Sequence, residues 1–489
     1  MEYKDLKRLN QESVSKATNV ECETELACEV KDILSMSTQV SLISAEVQDG
    51  KAQYKGRVIF NVIYLLEGEV RRKELGVEFL ENCDLAVENG AKIKVELSSE
   101  SVSANKINKL TLQAIITAKI TAETAQKLTI LESGDNYCLN TQEVLKSELC
   151  ADLSGNFNIE DEVEISSQLK NVLSSSARVS VTGCQCGIGA VIVDGEIILS
   201  LALLPFDEKS DIIKENRTIP FRLELEGASV EVSDLSCADA IVNSVNLKVF
   251  VDEVKGKTTV SSEIAITLTA KAYKKQNYTY VDDLFCVDKD LSVARENITF
   301  NNFVKQKCRN DRVGGKAFCT PPENSRLVCV LEERVYGVSY TCGEDVRVEG
   351  VLSAHVLFEN LQSGAISSRL AEIPFSLTFG ESECVQELKC VCRSVSARLR
   401  SDEVEMEGEL SIYYQTGEKA TITAITQVEE GEIIADKNYA FSVYSATKND
   451  TLWTISKALK TPSEIILAQN ENLSFPLNEE QKIIVYYKR

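Results

Sequence analysis

The stretches GRVIFNVIY (residues 56–64), GEIILSLAL (195–203) and GVLSAHVLF (350–358) decide how this chain is read. Each opens on glycine, and the fourth, sixth and eighth residues after it are apolar or small: Phe60, Val62 and Tyr64; Leu199, Leu201 and Leu203; Ala354, Val356 and Phe358. A period of two puts these side chains on one face of a sheet. Further along, each copy carries a matching tripeptide: Val77-Glu78-Phe79, Ile219-Pro220-Phe221 or Ile373-Pro374-Phe375. The phenylalanine follows the glycine by 23, 26 and 25 residues (56 to 79, 195 to 221, 350 to 375). Proline in two copies points to an edge or a strand start, since it cannot donate to a central ladder.

Alternating stretches also precede each glycine, from Gln39, Ala177 and Arg334, and paired strands with a polar turn follow the tripeptide, as in residues 247–270. A single core stops growing near about 250–300 residues, so a chain of this length holds several domains. The expected fold is mainly β, with three tandem antiparallel repeats over 31–136, 165–276 and 327–427. Residues 137–165 and 299–326 read as polar connections, the second on its glycine pair and proline pair. Residues 1–30 are read as an N-terminal segment, helical or frayed at its start, and carry no functional assignment.

Lysine and arginine number 53 against 75 aspartates and glutamates, a formal charge of −22 with no basic run. Nucleic acid and anionic lipid are therefore poor partners, because phosphate contacts need clustered cations. The start, Met1-Glu2-Tyr3-Lys4-Asp5, lacks the apolar run of a signal peptide, and no stretch of about 18 apolar residues would span a membrane. A cytosolic location is expected. Sixteen cysteines are scattered without a C-x-x-C. The pairs Cys184/Cys186 and Cys390/Cys392 read as small buried hydrophobes rather than halves of a zinc site.

His355 is the only histidine, so any Ser-His or Cys-His mechanism must use it. It falls on the strand face opposite Ala354, Val356 and Phe358 and reads as a strand residue, not a base. No phosphate-cradling loop and no G-x-S-x-G elbow occurs. Acidic pairs such as Asp282/Asp283 and Glu429/Glu430 are expected by chance in so acidic a chain. The expectation is a non-enzymatic protein with no catalytic residue, cofactor or metal site.

From about residue 437 the pattern changes toward a period of 3.6, and the only tryptophan, Trp453, appears. A short strand ending near Tyr444 leads to Asp450, read as the cap of a helix carrying Leu452, Ile455, Ser456 and Leu459. Thr461-Pro462-Ser463-Glu464 starts a second helix, and residues 482–487 form a last strand. The result is a β-α-α-β unit over 437–489, with a thin core to which Trp453 is expected to contribute much.

These residues resemble a LysM domain: Asp450-Thr451-Leu452-Trp453-Thr454-Ile455-Ser456 against G-D-T-L-W-x-I-A, Asn470 in L-x-x-x-N, Leu477, and Gln481-Lys482-Ile483 in G-Q-x-I. Asn449 and Glu480 stand where the family has glycine. The upstream repeats, with their post-glycine strands and I-P-F tripeptides, are similar to the SPOCS domain of spore-forming Firmicutes. Several SPOCS domains ending in one LysM resemble the arrangement of clostridial spore-coat morphogenetic proteins. The resemblance implies a mother-cell protein at the forespore surface whose LysM binds the spore-coat ATPase, alongside other coat proteins. A peptidoglycan-binding protein of the cell wall or spore cortex is the alternative it leaves open. The partner-binding residues expected in the LysM-like groove are Lys448, Asn449, Asp450, Thr451, Leu452, Trp453, Asn470, Leu473, Phe475 and Pro476.

Overall fold

From Thr258 to Ala272 every second side chain is buried and those between are partly exposed, the signature of a strand with one face on a core. This pattern, repeated along the chain, makes it almost wholly β. The computed structural model describes residues 1–24, 32–84, 92–106, 109–207, 211–381, 384–434, 440–470 and 473–487.

Unit one contains β1 (Glu2–Thr24), β2 (Asp32–Gln48), β3 (Lys51–Leu66), β4 (Glu69–Asp84), β5 (Lys92–Lys106) and β6 (Leu110–Ser133). Unit two contains β7 (Tyr137–Ile165), β8 (Leu169–Gly187), β9 (Ala190–Pro205), β10 (Ile213–Glu226), β11 (Leu235–Asp252) and β12 (Lys257–Cys286). Unit three contains β13 (Lys289–Lys316), β14 (Ser325–Cys342), β15 (Asp345–Asn360), β16 (Ile366–Gly380), β17 (Cys384–Arg400) and β18 (Glu403–Ile433). In every unit the second to fourth strands form an antiparallel meander. The first strand pairs with the sixth, and the fifth flanks the sixth on its other side. The mainly β reading with a final β-α-α-β unit therefore holds.

The repeated glycine and phenylalanine of the sequence face each other. Gly56, Gly195 and Gly350 pair with Phe79, Phe221 and Phe375 across the central hairpin of each unit. A Cβ on those glycines would lie 2.5, 2.3 and 2.8 Å from the ring Cζ. Each ring lies over its glycine, so the two positions recur together. The residues that set the period, such as Phe60, Leu201 and Val356, point from the central strand into the core between the two sheets.

The structure corrects the reading between repeats. Residues 137–165 are not a connection but β7, paired with β12 almost end to end, and residues 289–316 are β13, paired with β18. Residues 2–24, expected as helix or frayed end, are β1 on β6. The boundaries at 31, 165 and 327 thus leave out the first strand of each unit. Those strands have one solvated, charge-rich face, and their partners lie 86 to 149 residues away, so local patterning marks them weakly. Of the connection expected over 299–326, only residues 317–324 lie outside strands.

Equivalent positions of the three units meet. The seventh residues after the repeated glycines, Ile63, Ala202 and Leu357, share one buried cluster with Leu34, Leu173 and Leu331. The far ends of the paired first and last strands converge in a second group, with Leu131, Val281 and Ile425 in contact. When one position from each of three repeats meets its counterparts, the units are related by an approximate three-fold rotation. A third set lies four residues before the extra residue of the fifth-strand bulge: Glu96, Asp239 and Lys389. Lys389 Nζ is 3.3 Å from Glu96 and bonds Asp239, while Lys94 lies 2.8 Å from Glu96 and 3.6 Å from Asp239. Unit three also grips unit two by side-chain amides that imitate a peptide: Asn302 on Ser147 N and Leu145 O (both 2.8 Å), and Gln306 on both backbone groups of Ala238 (2.7 and 2.9 Å).

Candidate functional site

The C-terminal module comprises β19 (Phe441–Ala446), α1 (Leu452–Leu459), α2 (Ser463–Gln469) and β20 (Gln481–Tyr486), with β19 and β20 antiparallel. Its core is Ala446, Ile455, Leu459, Ile466, Leu477, Ile483 and Val485. Helix α1 starts one residue later than the sequence suggests. Thr451 is the N-cap and forms a capping box with Thr454, while the Asp450 carboxylate accepts from Thr447 N at 2.8 Å and closes the preceding turn. Lys460 ends the helix in a left-handed conformation.

The expected groove residues separate into three sets. Lys448, Asn449 and Thr451 on one loop and Pro476 on the other are exposed. The loops are tied together by Asn449 N to Leu477 O at 2.9 Å and Leu477 N to Asp450 O at 3.0 Å. Asn449 takes φ 74°, the left-handed region for which asparagine is the best substitute for glycine. Leu452, Leu473 and Phe475 fold inward and pack partly buried on the module core, and Asp450 is half-buried. Asn470 is spent inside the module: its amide donates to Ile466 O (3.0 Å) and Ile484 O (2.8 Å) and accepts from Ile484 N (3.1 Å), pinning β20 to α2.

Trp453 departs from expectation. It is half-buried and stands outside the module core. Its ring packs on Phe285 with centroids 5.3 Å apart, and its indole N–H donates to Asp283 Oδ2 at 3.0 Å. Lys457, one turn on, reaches the same carboxylate at 2.6 and 2.8 Å, and Lys460 bonds Asp290. The exposed face of α1 is thus an aromatic and basic strip seated on acids at the end of β12 and the start of β13. Burial opposes the Asp283 charge, but Lys457 and the indole hold its carboxyl below the usual aspartate range. The sequence offered no local sign of this, because Asp283 lies 170 residues before Trp453 and sits in an acidic pair like several others.

The contact carries a prediction. Asp283→Ala removes the acceptor of both Trp453 and Lys457, and Trp453 is the only tryptophan, so its emission reports the contact alone. The emission should shift to the red and become more accessible to iodide. Unchanged emission would mean the ring is held by something else.

Burial holds the lone histidine and the paired cysteines in their uncharged forms. Burial pushes His355 down to about 4, leaving it neutral at physiological pH, and Ser368 Oγ lies 3.5 Å from its Nδ1. Burial drives the Cys184 thiol up to about 11 and Cys390 up to about 12. No group of three or more metal-ligating side chains occurs among the described residues. No helix among them is long and apolar enough to cross a membrane.

Residues 29–107 match the family model described as SipL, SPOCS domain, and residues 444–485 match the LysM domain. The first match runs through β2 to β5, the meander and fifth strand of unit one. No curated protein and no solved structure matches the chain.

Proposed function

For a chain that joins a SPOCS domain to a LysM domain, we propose a non-enzymatic adaptor of spore-coat assembly. It works in the mother-cell cytosol at the forespore surface, and its LysM module binds the coat ATPase and helps localise coat. Units two and three are read as diverged SPOCS domains, on their shared strand order and their glycine–phenylalanine pairs. One observation supports the docking role most. Helix α1 anchors the module to the repeats through Trp453 and Lys457, while the loop residues Lys448, Asn449, Thr451 and Pro476 stay exposed. A module held on one side presents its other loops at a defined angle, which lowers the ordering cost of binding.

The test is co-purification of the ATPase from sporulating cells with the full chain. Lys448→Glu together with Pro476→Glu should weaken capture by about tenfold or more, as expected when a central contact is lost. Full capture by a chain ending at residue 436 would move the docking surface to the repeats and overturn the assignment. The left-handed Asn449 favours a second reading, since it keeps the loop path that glycine gives other LysM domains. Saturable co-sedimentation of the full chain with insoluble peptidoglycan would support glycan binding, and its absence would remove that reading.

A further inference from the structure

The three units serve as controls for one another, and unit two differs at one place. Its fifth strand, β11, runs nine residues past the extra bulge residue (243 to 252), whereas β5 runs six (100 to 106) and β17 seven (393 to 400). In unit three the corresponding turn is polar, Ser401-Asp402. In unit two the extension is apolar and uncovered: Val249, Phe250 and Val251 are 41%, 58% and 44% exposed, and Val254 at the turn is 97% exposed. Phe206, 67% exposed, lines a small cleft with Gly256 at the base of the same turn. β11 is also the outer strand of its sheet. An apolar outer strand without a cover is a template for another strand. This edge already takes a partner once, where Gln306 of unit three occupies both backbone groups of Ala238.

We propose that two copies of this chain pair antiparallel along β11, over Lys248–Asp252, about a two-fold axis at Phe250. The sequence of the edge is self-complementary in that register and specifies the occupant. Lys248 faces Asp252 of the second copy and Asp252 faces its Lys248, both on the face that carries Phe250. Phe250 meets Phe250, and Val249 meets Val251. Isologous pairing of this kind closes at two copies. Opposite charges directly across a strand pair, and an aromatic pair at its centre, each favour the register. The local ion pairs also answer the chain's net charge of −22, which alone would keep two copies apart. An edge of five residues is small, so the dimer is weak, and an adaptor would gain two LysM modules and the avidity that follows.

Sedimentation of the full chain over a concentration series should show a reversible monomer–dimer equilibrium. Phe250→Lys should raise the dissociation constant by about tenfold or more, because a charge on the outer strand blocks pairing. Lys248→Asp, which sets carboxylate against carboxylate, should do likewise. Both side chains are solvent-facing, so an unchanged thermal melt separates lost pairing from lost fold. The register has its own readout: in a chain whose exposed Cys342 and Cys384 are replaced by serine, Phe250→Cys should give a disulfide-linked dimer under mild copper oxidation, since residue 250 meets itself, while the same chain with Phe250 should not. A chain that stays monomeric throughout the series overturns the proposal. So does a dimer that Phe250→Lys leaves intact, or a Phe250→Cys chain that does not crosslink.

Discussion

Gly195→Ala should destabilise unit two by about 3 kcal/mol or more, a loss at the upper end of what overpacking a core produces. The added Cβ would sit 2.3 Å from Phe221 Cζ and 2.8 Å from the Ser180 carbonyl oxygen. The ring cannot swing clear without leaving the core it shares with Ile197 and Ile219, and the carbonyl belongs to a neighbouring strand. The same change at Gly350 should cost less, because Phe375 Cζ is 2.8 Å away and the nearest backbone oxygen, that of Tyr336, is 3.4 Å away. Urea unfolding of the two variants would check the order. Adding Phe221→Leu to Gly195→Ala should recover part of the loss and leave the Ser180 clash. A Gly195→Ala chain within about 1 kcal/mol of the parent would show that the ring does not need a bare backbone beneath it.

Lys389→Met should loosen the junction of the three units and change how the protein responds to acid. Lys389 is one of two ammonium groups serving Glu96 and Asp239 where equivalent positions meet. Removing it leaves two carboxylates and Lys94, and because the cluster is only partly buried, with Lys389 36% and Glu96 29% exposed, the loss should be about 1–2 kcal/mol. Burial alone would raise the Glu96 pKa, but Lys389 and Lys94 hold the carboxyl at about 2 against an ordinary 4.5. The sign follows from linkage. A depressed carboxylate contributes stability that is full above pH 4.5 and is lost as pH falls toward 2. The parent chain should therefore weaken across that window, and the Lys389→Met variant, already short of the contribution, should weaken less. Native-state hydrogen exchange at β5, β11 and β17 would read both effects. Parallel acid profiles in the two chains would exclude the cluster as their source.

How much of this was legible in the sequence differs by element. The period of two after Gly56, Gly195 and Gly350, and the phenylalanine about 25 residues on, marked three copies of a hairpin correctly. The residue pattern marked the two helices and two strands of the last unit within about two residues, although Pro462 rather than Thr461 stands at the N-cap of α2. These features depend on neighbours close in the chain. Strand β7 was missed although Leu153, Phe157, Ile159 and Val163 alternate within it, because the acids between them read as a solvated connection.

By itself, then, the sequence determined the local order: alternation for strands, a 3.6 period and caps for helices, and glycine wherever an aromatic ring must lie on the backbone. Only the tertiary structure decided that the first strand of each unit closes on the sixth and that Glu96, Asp239 and Lys389 meet. It likewise decided that Trp453 leaves its own module's core to lie on Phe285 and Asp283. The physical reason is range. Side-chain periodicity, helix caps and hairpin turns act within a few residues, whereas the ladder of β1 on β6 joins residues 86 to 131 apart. The polar and aromatic contacts that join the units, such as Gln306 with Ala238, Lys389 with Asp239 and Trp453 with Asp283, span 68, 150 and 170 residues, and no window of sequence distinguishes them from the many similar residues that stay in solvent.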